Sequence, residues 1–277
     1  MARPAHVMGI LNVTPDSFSD GGDFINIDRA VARASEMISE GAAIIDVGGA
    51  SSRPKGKDYG DGASVVALSD EINRVVPVIR AISRRHPDIW ISIDTFRTQV
   101  AIEALKAGAH IINDITGLRV DPALANLAAA EDAPLVLMHS VGQPGSMPHA
   151  AEYEDVVLDV RTSLLESISI AGDRGAKQLI LDPGFGFGKS VDDNLRLIST
   201  INELAELGFP VMVGVSRKSS IGAILGSSDE PVSIENRIFG SLGVTAVAFL
   251  RGARIIRTHD VGPTVEMLRA MTATLNA

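Results

Sequence analysis

A buried strand and its exit loop are visible in the stretch Gln178-Leu179-Ile180-Leu181-Asp182-Pro183-Gly184-Phe185-Gly186-Phe187-Gly188-Lys189. A short run of leucine and isoleucine followed by proline and glycine is typical of a strand that leaves a sheet. The glycines allow the backbone to turn tightly and to approach a ligand closely. Two of the eight phenylalanines of the chain lie in this loop, where they either cap the core or line a binding site. The same layout recurs along the chain, which favours a binding site.

The recurring layout is an apolar run, then a polar or glycine-rich loop, then a helical pattern, and it occurs eight times. The other predicted strands are His6–Val13, Ala42–Gly48, Ile89–Asp94, His110–Asp114, Pro134–His139, Pro210–Ser216 and Ala253–His259. These runs are continuously apolar, which indicates burial on both faces of the sheet. Strands that alternate with helices predict parallel pairing with right-handed crossovers. Eight such units in 277 residues predict an α/β fold, a closed (β/α)8 TIM barrel, with a doubly wound open sheet as the alternative.

Segments with helical spacing lie between the predicted strands. They cover Asp28–Glu40, Thr98–Ala107, Glu154–Ala171, Val191–Leu207, Glu235–Leu250 and Gly262–Leu275, and one more begins at Asp121-Pro122. Asp28 is expected to cap the first of them, and Gly41 and Gly108 are expected to end the first two. No linker or low-complexity segment divides the sequence, so we expect one domain over residues 1–277.

Composition excludes several classes of function. A net charge of −9 is contrary to the basic surface that nucleic-acid binding requires, although a few placed arginines suffice for an anionic substrate. The chain has no cysteine, which excludes disulfides, thiolate nucleophiles and cysteine-ligated zinc. It shows neither a signal-peptide pattern nor an apolar run long enough to span a bilayer. We therefore expect a cytoplasmic enzyme without a nucleic-acid or membrane partner.

Polar residues stand at the end of nearly every predicted strand. They are Asn12, Asp46, Asp94, Asn113, His139, Asp182, Ser216-Arg217-Lys218 and Arg257-Thr258-His259. In a (β/α)8 barrel the carboxyl ends of the strands surround the active site. Any one of these residues could simply cap a loop, but so many at one rim predict a binding site.

The strand-end residues divide by their chemistry. Arginines, a histidine and an amide suit an anion held together with a metal: Asn12, Arg53, Arg257 and His259. Mg²⁺ takes few protein ligands and completes its shell with phosphate oxygens and water, so the lone Asn12 oxygen fits that metal.

A second group suits a flat heterocycle that is rich in hydrogen-bond donors. Asp94 and Asp182 offer acceptors, Asn113 offers an amide, and Lys218 adds a positive donor on the same wall. Ser219 stands, with Ser220, where the helix after the seventh strand should begin, which is a suitable place for a carboxylate.

Some residues allow two interpretations. His139 is either a catalytic base or a structural group, and Asp46 is expected only to orient its loop. Lys218 could form a Schiff base, although its surroundings do not require one. The glycine loop has the spacing neither of a dinucleotide fingerprint nor of a P-loop.

Taken together, the motifs resemble the dihydropteroate synthases, pterin-binding enzymes of folate biosynthesis. The matching segments are residues 12–22 (Asn-Val-Thr-Pro-Asp-Ser-Phe-Ser-Asp-Gly-Gly), 46–49, 51–54, 92–95, 113–115, 182–189, 216–219 and 257–259. The resemblance covers essentially the whole chain in order. It implies condensation of 6-hydroxymethyl-7,8-dihydropterin diphosphate with p-aminobenzoate to give 7,8-dihydropteroate and diphosphate, with Mg²⁺ as cofactor.

The resemblance also implies roles for individual residues. Asp94, Asn113, Asp182 and Lys218 would bind the pterin. Asn12 would hold Mg²⁺ and, with Arg53, Arg257 and His259, the diphosphate. Ser52, Pro54, Phe187, Lys218 and Ser219 would bind p-aminobenzoate. Asp94, Lys218 and Arg53 would be the catalytic residues, and Phe185 is expected to pack in the core.

The sequence departs from the family pattern in the loop after the second strand. Ala50 stands where the family has glutamate, Ser52 replaces a threonine, and residues 55–62 make the loop longer, either as a lid or as a surface insertion. A pterin-binding methyltransferase and a catalytically inactive pterin- or phosphate-binding module are the rival interpretations. The resemblance implies small-molecule substrates and a homodimer. It also implies a p-aminobenzoate pocket that sulfonamides, which mimic p-aminobenzoate, would occupy.

Overall fold

The computed structural model describes residues 4–13, 23–50, 66–142 and 151–277. Within these ranges, eight strands form one parallel sheet. They are β1 (His6–Asn12), β2 (Ile44–Gly48), β3 (Trp90–Asp94), β4 (Ile111–Asp114), β5 (Leu135–Met138), β6 (Leu179–Asp182), β7 (Met212–Val213) and β8 (Ile255–Thr258). Each overlaps one predicted strand, so the eightfold alternation read from the sequence is confirmed.

The sheet curls into a barrel. Its strand order is β6-β5-β4-β3-β2-β1-β8-β7. The two ends meet at a parallel bridge between Leu181 and Val211, where the Leu181 amide donates to the Pro210 carbonyl at 2.9 Å. This bridge joins β6 to the segment entering β7, so the prediction of a (β/α)8 barrel is confirmed and the open sheet is excluded.

Helices connect the strands on the outside of the barrel. They are α1 (Asp23–Ser39), α2 (Leu68–Arg85), α3 (Thr98–Ala107), α4 (Ala123–Ala130), α5 (Val156–Asp173), α6 (Val191–Ser199), α7 (Ile201–Ala205), α8 (Ser219–Leu225), α9 (Ile238–Leu250) and α10 (Val261–Leu275). A 3-10 turn, Ile234–Arg237, precedes α9. None of the helices in the described ranges combines the length and the hydropathy needed to cross a bilayer.

Several predicted boundaries were wrong. Asp28 does not cap α1, because the helix begins at Asp23, and an exposed aspartate within a helix costs too little to mark its start. The helix predicted over Val191–Leu207 breaks at Thr200, whose hydroxyl donates to the Arg196 carbonyl at 2.9 Å and so competes with the helical ladder. Gly108 does end α3, with φ of 112°.

Helix α2 was not predicted. Pro77 lies in its interior, and proline in that position is contrary to a helix on local grounds. The charges at its two ends were a usable signal. Asp70 and Glu71 lie in the first turn, and Arg84 and Arg85 lie in the last turn, as the helix dipole favours.

The barrel interior is closed at its amino-terminal end by a small apolar cluster, which we call the floor. Its members come from seven of the strands: Met8, Ile44, Ile111, Val136, Ile180, Met212 and Ile255. A much larger apolar cluster fills the space between the barrel and the surrounding helices. The floor separates the polar mouth of the barrel from the solvent below it.

The glycine loop after β6 is folded tightly against its neighbours. Gly184, with φ of 70°, leaves room for the His139 carbonyl, since a Cβ there would lie 1.8 Å from that oxygen. The buried Lys189 ammonium donates to the carbonyls of Gly184 at 2.9 Å and Phe187 at 3.0 Å. It also reaches the His139 carbonyl at 3.4 Å. Lys189 therefore fastens the loop to itself and to the end of β5.

Phe185 packs in the core, as predicted. Its side chain is 1% exposed and belongs to the large cluster outside the barrel. Replacing it with alanine should lower the free energy of unfolding by about 3–5 kcal/mol, because a cavity remains where the ring was. Urea unfolding followed by circular dichroism measures this loss, and Leu158→Ala on α5, at a residue that is 58% exposed, serves as the control with little change.

Candidate active site

A ring of polar side chains lies directly above the floor. Successive residues of a strand point to opposite faces, so the residue two positions after each floor residue also points into the barrel. Ile44 is thus followed by Asp46 and Ile111 by Asn113. The same spacing leads from Ile180 to Asp182 and from Ile255 to Arg257. The sequence therefore changes from apolar to polar at one level of the barrel.

Arg257 is the central cation of this ring. Its Nε donates to Asp46 Oδ2 at 2.7 Å, and its Nη2 donates to Asp94 Oδ2 at 2.8 Å. Gly214 on the neighbouring segment lies beside the arginine, since a Cβ there would be in ordinary van der Waals contact with the Arg257 Cβ, at 3.6 Å. A guanidinium has five N–H donors, so these two bonds leave donors for a further ligand.

Asp46 was predicted at the strand-end rim with loop orientation as its expected role, and the structure makes it a member of the polar ring. The side chain is fully buried. It accepts from Arg257 and also from Asn113 Nδ2, at 3.2 Å to Oδ2. A charged residue inside the apolar run Ile44–Gly48 was the available signal, since a buried charge requires partners.

Asn113 presents an open acceptor to the barrel interior. Its amide nitrogen faces the Asp46 carboxylate, which fixes the orientation of the amide because a carboxylate only accepts. Asn113 Oδ1 is buried, and no hydrogen-bond partner for it is found among the described residues. Leaving a buried acceptor unpaired costs about 1–3 kcal/mol, which indicates an atom reserved for a ligand.

Asp94 lies beside Asn12 at the mouth of the barrel. Both strands pair with β2 at Gly48, and a Cβ on Gly48 would lie 3.6 Å from Asn12 Oδ1 and 3.7 Å from Asp94 Oδ2. The two oxygens therefore converge over a residue without a side chain. Burial raises the pKa of Asp94 to about 7, and the Arg257 cation opposes this rise.

Asp182 lies on the opposite wall at the end of β6. It is buried, and its Oδ1 accepts from the Gly184 amide at 2.7 Å. Burial raises the pKa of Asp182, while the Lys218 ammonium and the Gly184 amide lower it. The second carboxylate oxygen is available to a ligand inside the barrel.

Lys218 closes this wall from the segment after β7. Its ammonium donates to the Phe185 carbonyl and lies 4.4 Å from the centroid of the Phe187 ring. Gly186 permits this approach, because a Cβ there would lie 2.7 Å from Lys218 Cδ. Burial lowers the pKa of Lys218 to about 7, and the Asp182 carboxylate opposes that shift.

The diphosphate candidates on β8 differ in their surroundings. His259 Nδ1 lies 3.2 Å from Ser216 Oγ, and the His259 amide donates to that same oxygen at 3.2 Å. Arg217 forms an ion pair with Asp260. Ser219 begins α8 directly after Lys218. The segment after β7 and the end of β8 thus form one continuous rim.

His139 is not placed as a catalytic base. Its side chain is buried, its ring packs 6.2 Å from that of Tyr153, and its carbonyl rather than its imidazole meets the glycine loop. Burial and the nearby Lys189 cation lower the pKa of His139 to about 2. The imidazole is therefore neutral over the working range of pH and serves as a structural group.

Glu71 on α2 supports the residues that follow Asp94. Its carboxylate is 1% exposed and accepts from Thr95 Oγ1 at 2.7 Å and from Arg97 Nη1 at 2.9 Å. Next to it, Arg74 donates to the Gly49 carbonyl at 2.9 Å. Helix α2 thereby fixes the ends of β2 and β3 together. The sequence interpretation missed this support because it missed the helix.

The structure brings together Asn12, Asp94, Asn113, Asp182, Lys218, Arg257 and their neighbours Phe187, Ser219 and His259. Ser52, Arg53 and Pro54 lie outside the described residues, as does the long loop 55–62. Ala50 is described and is partly buried. Among the described residues, no three His, Cys, Asp or Glu side chains are close enough to hold a metal by themselves.

Known proteins are similar to this chain in both sequence and fold. The family model for "Pterin binding enzyme" matches residues 8–259. The dihydropteroate synthase of Escherichia coli K12 is 45% identical over 274 residues, covering 98% of this chain and 92% of that protein.

Two solved structures of the Xanthomonas albilineans dihydropteroate synthase superpose closely. The complex with 4-aminobenzoic acid has a TM-score of 0.88 at 41% identity and covers 99% of this chain and 94% of the other. The complex with 7,8-dihydropteroate has a TM-score of 0.85 at 38% identity and covers 100% and 96%. The chain therefore belongs to the pterin-binding enzyme family, among its dihydropteroate synthases.

Proposed function

We propose that the protein condenses 6-hydroxymethyl-7,8-dihydropterin diphosphate with p-aminobenzoate, and that the polar ring above the floor carries the reaction. The observation that carries this proposal is the open acceptor Asn113 Oδ1, which is buried in the barrel while the amide nitrogen of the same side chain donates to Asp46. It gives a donor-rich heterocycle a place to bind. The relatives complexed with 4-aminobenzoic acid and 7,8-dihydropteroate support the two substrates.

The pterin binds deepest. Its amino and ring N–H groups donate to Asp182 and Asn113, and Lys218 donates to the acceptor edge of the ring. The floor below these residues is apolar, so the flat ring rests on hydrocarbon while its edges find polar partners. A site that is apolar with a few placed polar groups is typical for a small ligand.

The diphosphate lies toward the rim. Arg257 retains N–H donors beyond its two ion pairs, and His259 follows directly after the end of β8. Arg53 belongs to the same proposal, although it lies outside the described residues. The Asn12 oxygen at the mouth of the barrel fits Mg²⁺, which takes few protein ligands and would complete its shell with phosphate oxygens and water. When bound, Mg²⁺ neutralises charge on the departing diphosphate.

p-Aminobenzoate binds above the pterin. Phe187 and Lys218 lie against each other, and Ser219 follows at the start of α8. Ser52 and Pro54 complete the pocket in this proposal. The aromatic ring of Phe187 offers a flat wall for the arene, while Lys218 and Ser219 offer donors for the carboxylate.

The chemistry is a substitution at the pterin methylene carbon. The carbon–oxygen bond to diphosphate breaks, and its electron pair leaves with the diphosphate. The positive charge left on the methylene and the pterin ring is stabilised by the Asp94 carboxylate, which is already in place. The aniline nitrogen then supplies its lone pair to form the carbon–nitrogen bond and loses a proton to solvent. No enzyme nucleophile is required, so neither a Schiff base at Lys218 nor a thiolate enters the reaction.

One assay tests the proposal against its rivals. Purified protein is incubated with the pterin diphosphate, with and without p-aminobenzoate and Mg²⁺, and both diphosphate and dihydropteroate are measured. We expect both products in equal amounts when all components are present, and a large decrease when EDTA removes the metal. No release of diphosphate under any condition would reject the synthase function. A methyltransferase or an inactive binding module would give that result.

The pH dependence follows from two groups. The ionised form of Asp94 is needed to stabilise positive charge, so kcat/KM should rise with pH as Asp94, with a pKa of about 7, loses its proton. The protonated form of Lys218 is needed to bind anionic groups, so kcat/KM should fall as that group, also with a pKa of about 7, loses its proton. We expect a narrow bell centred near pH 7. Asp94→Asn should remove its acidic limb, and an unchanged limb would exclude Asp94 as its source.

The proposal includes a homodimer. The two helices after β7 contact one another, since a Cβ on Gly240 of α9 would lie 2.9 Å from a Leu225 methyl carbon of α8. Large apolar side chains are exposed on this face: Leu195, Ile224, Leu225, Ile234, Phe239 and Leu250. A patch of this kind marks an interaction surface, and a second copy of the chain would cover it through a twofold axis.

The dimer is tested at its most exposed aromatic residue. Phe239 is 81% exposed, and Phe239→Asp would place a charge in the interface. Sedimentation velocity should show a dimer for the unaltered protein and a monomer for this variant. Trp90→Asp, at the other end of the barrel and 51% exposed, is the matched control and should remain dimeric. An unaltered protein that sediments as a monomer would contradict the proposal.

A further inference from the structure

Asn194 connects the two segments that flank the proposed p-aminobenzoate pocket. It lies on α6, outside the barrel, and its side chain is completely buried. Its Oδ1 accepts from the Gly186 amide at 2.7 Å. Its Nδ2 donates to Ser220 Oγ at 3.0 Å. One amide group therefore joins the glycine loop after β6 to the first turn of α8.

The orientation of this amide is fixed by its partners. A backbone amide can only donate, so the atom that faces Gly186 must be the oxygen. The nitrogen then faces Ser220 Oγ and two carbonyl oxygens, those of Lys189 at 3.2 Å and Ser190 at 2.8 Å. A buried amide with partners for both of its ends is a rigid connection rather than an incidental contact.

Both joined segments carry pocket residues. Gly186 lies between Phe185 and Phe187, and Ser220 follows Lys218 and Ser219 in sequence. The Lys218 ammonium lies 4.4 Å from the Phe187 ring and donates to the Phe185 carbonyl. The two segments would otherwise be held together by a flexible lysine side chain. Asn194, which is carried by helix α6, adds a more rigid link, because its side chain forms a hydrogen bond to each of the two segments.

Lys189 secures the same loop from its other side. Its ammonium binds the Gly184 and Phe187 carbonyls and reaches the end of β5. That contact fixes the loop to β5 and does not extend to α8. Among the described residues, Asn194 on α6 thus links the loop that carries Phe187 to the Lys218-Ser219 segment, through its bonds to Gly186 and Ser220.

We propose that Asn194 is a positioning residue that sets the distance between Phe187 and the Lys218-Ser219 segment, and thereby the fit of the arylamine substrate. This inference rests on the proposed function, because it takes those residues as the p-aminobenzoate pocket. Asn194 does not touch either substrate and acts through the segments it joins. Within the described part of the chain, the hydrogen bonds of Asn194 go to Gly186, Lys189, Ser190 and Ser220, and not directly to the pterin contacts Asn113 and Asp182.

The expected signature is a selective loss for one substrate. Asn194→Leu keeps the branched shape of the side chain and removes its hydrogen bonds, and Ser220→Ala removes only the link to α8. For either variant, KM for p-aminobenzoate should rise about fivefold to tenfold, as expected for the loss of a hydrogen bond. KM for the pterin diphosphate should rise by no more than about twofold, because Asn113 and Asp182 hold that substrate in addition to Lys218.

The matched control is Ser167→Ala. Ser167 also has a buried hydroxyl on a helix, and it donates to the Gly117 carbonyl at 2.9 Å, away from the pocket. This variant should lower the melting temperature without changing either KM. If Asn194→Leu fails to fold, Ser220→Ala still tests the link, since it removes a single hydroxyl.

Steady-state kinetics with each substrate varied in turn distinguishes the outcomes. An unaltered protein that forms no dihydropteroate would reject the proposed function itself. An active protein whose Asn194→Leu and Ser220→Ala variants lose affinity for both substrates equally, or for neither, would overturn the positioning role alone. A double-mutant cycle should give effects on KM for p-aminobenzoate that are less than multiplicative, because both changes break the same bond.

Discussion

Replacing Asp94 with asparagine should lower kcat by about 10²- to 10³-fold, while the affinity for the pterin diphosphate changes far less. The carboxylate stabilises a charge that develops only when the diphosphate leaves, so its loss raises the barrier more than it weakens binding. Asparagine keeps the shape of the side chain and an oxygen for the Arg257 guanidinium, which now lies 2.8 Å from Asp94 Oδ2. Single-turnover kinetics and equilibrium binding of the pterin diphosphate measure the two effects separately.

Asp114→Asn is the matched control for this change. Asp114 is also a fully buried aspartate at a strand end, but its carboxylate accepts from the Thr116 amide at 2.8 Å and the Leu118 amide at 2.6 Å. It therefore shapes a turn and does not face the substrate. We expect this variant to lose stability and to keep its turnover per folded molecule. Equal losses of turnover and pterin affinity in Asp94→Asn would contradict the assignment.

Arg257→Lys should lower kcat/KM for the pterin diphosphate by about 10²-fold or more, even though the charge is preserved. The guanidinium reaches Asp46 through Nε and Asp94 through Nη2 at once, and it has donors left for the diphosphate. A lysine ammonium is a single point with three donors and cannot span these groups. One buried carboxylate would lose its partner, which also costs about 3–5 kcal/mol of stability. Kinetics and urea unfolding on the same preparation measure both losses.

Arg254→Lys tests whether the effect belongs to the site. Arg254 stands just before the same strand, at its amino-terminal end, and its guanidinium donates to the Ala253 carbonyl at 2.8 Å. It forms no part of the polar ring, so its replacement should leave kcat/KM unchanged. A full rescue of activity by lysine at position 257 would show that charge alone suffices there.

The sequence predicted the barrel because its apolar runs are long, continuous and regularly spaced. Burial on both faces gives each strand the same signature, and parallel strands separated by helices allow few other folds. The strand ends were predicted for the same reason, since the carboxyl ends of the strands meet at one rim. Asp94, Asn113, Asp182 and Lys218 could therefore be assigned to one site before any coordinates were known.

The residues that support the site could not be predicted in this way. Asp46 lies inside an apolar run, and only its contacts with Arg257 and Asn113 show that it belongs to the ring. Glu71 and Asn194 lie on helices, far in sequence from the groups they hold. In the sequence they cannot be told from other polar residues of a helix. The spacing of residues predicts which face of a helix they occupy, but it does not predict what packs against that face.

The apolar floor has a consequence for the movement of molecules. Seven buried apolar side chains pack together at the lower end of the barrel, so, from the described residues, we expect substrates to enter and products to leave through the mouth. In the proposed arrangement the pterin lies at the bottom of the barrel, and the arylamine lies between the pterin and the mouth. An arylamine that enters first blocks the way for the pterin. The pterin half of the product lies innermost, so the product must leave through the mouth before the next two substrates can bind. Binding and release therefore follow a fixed order.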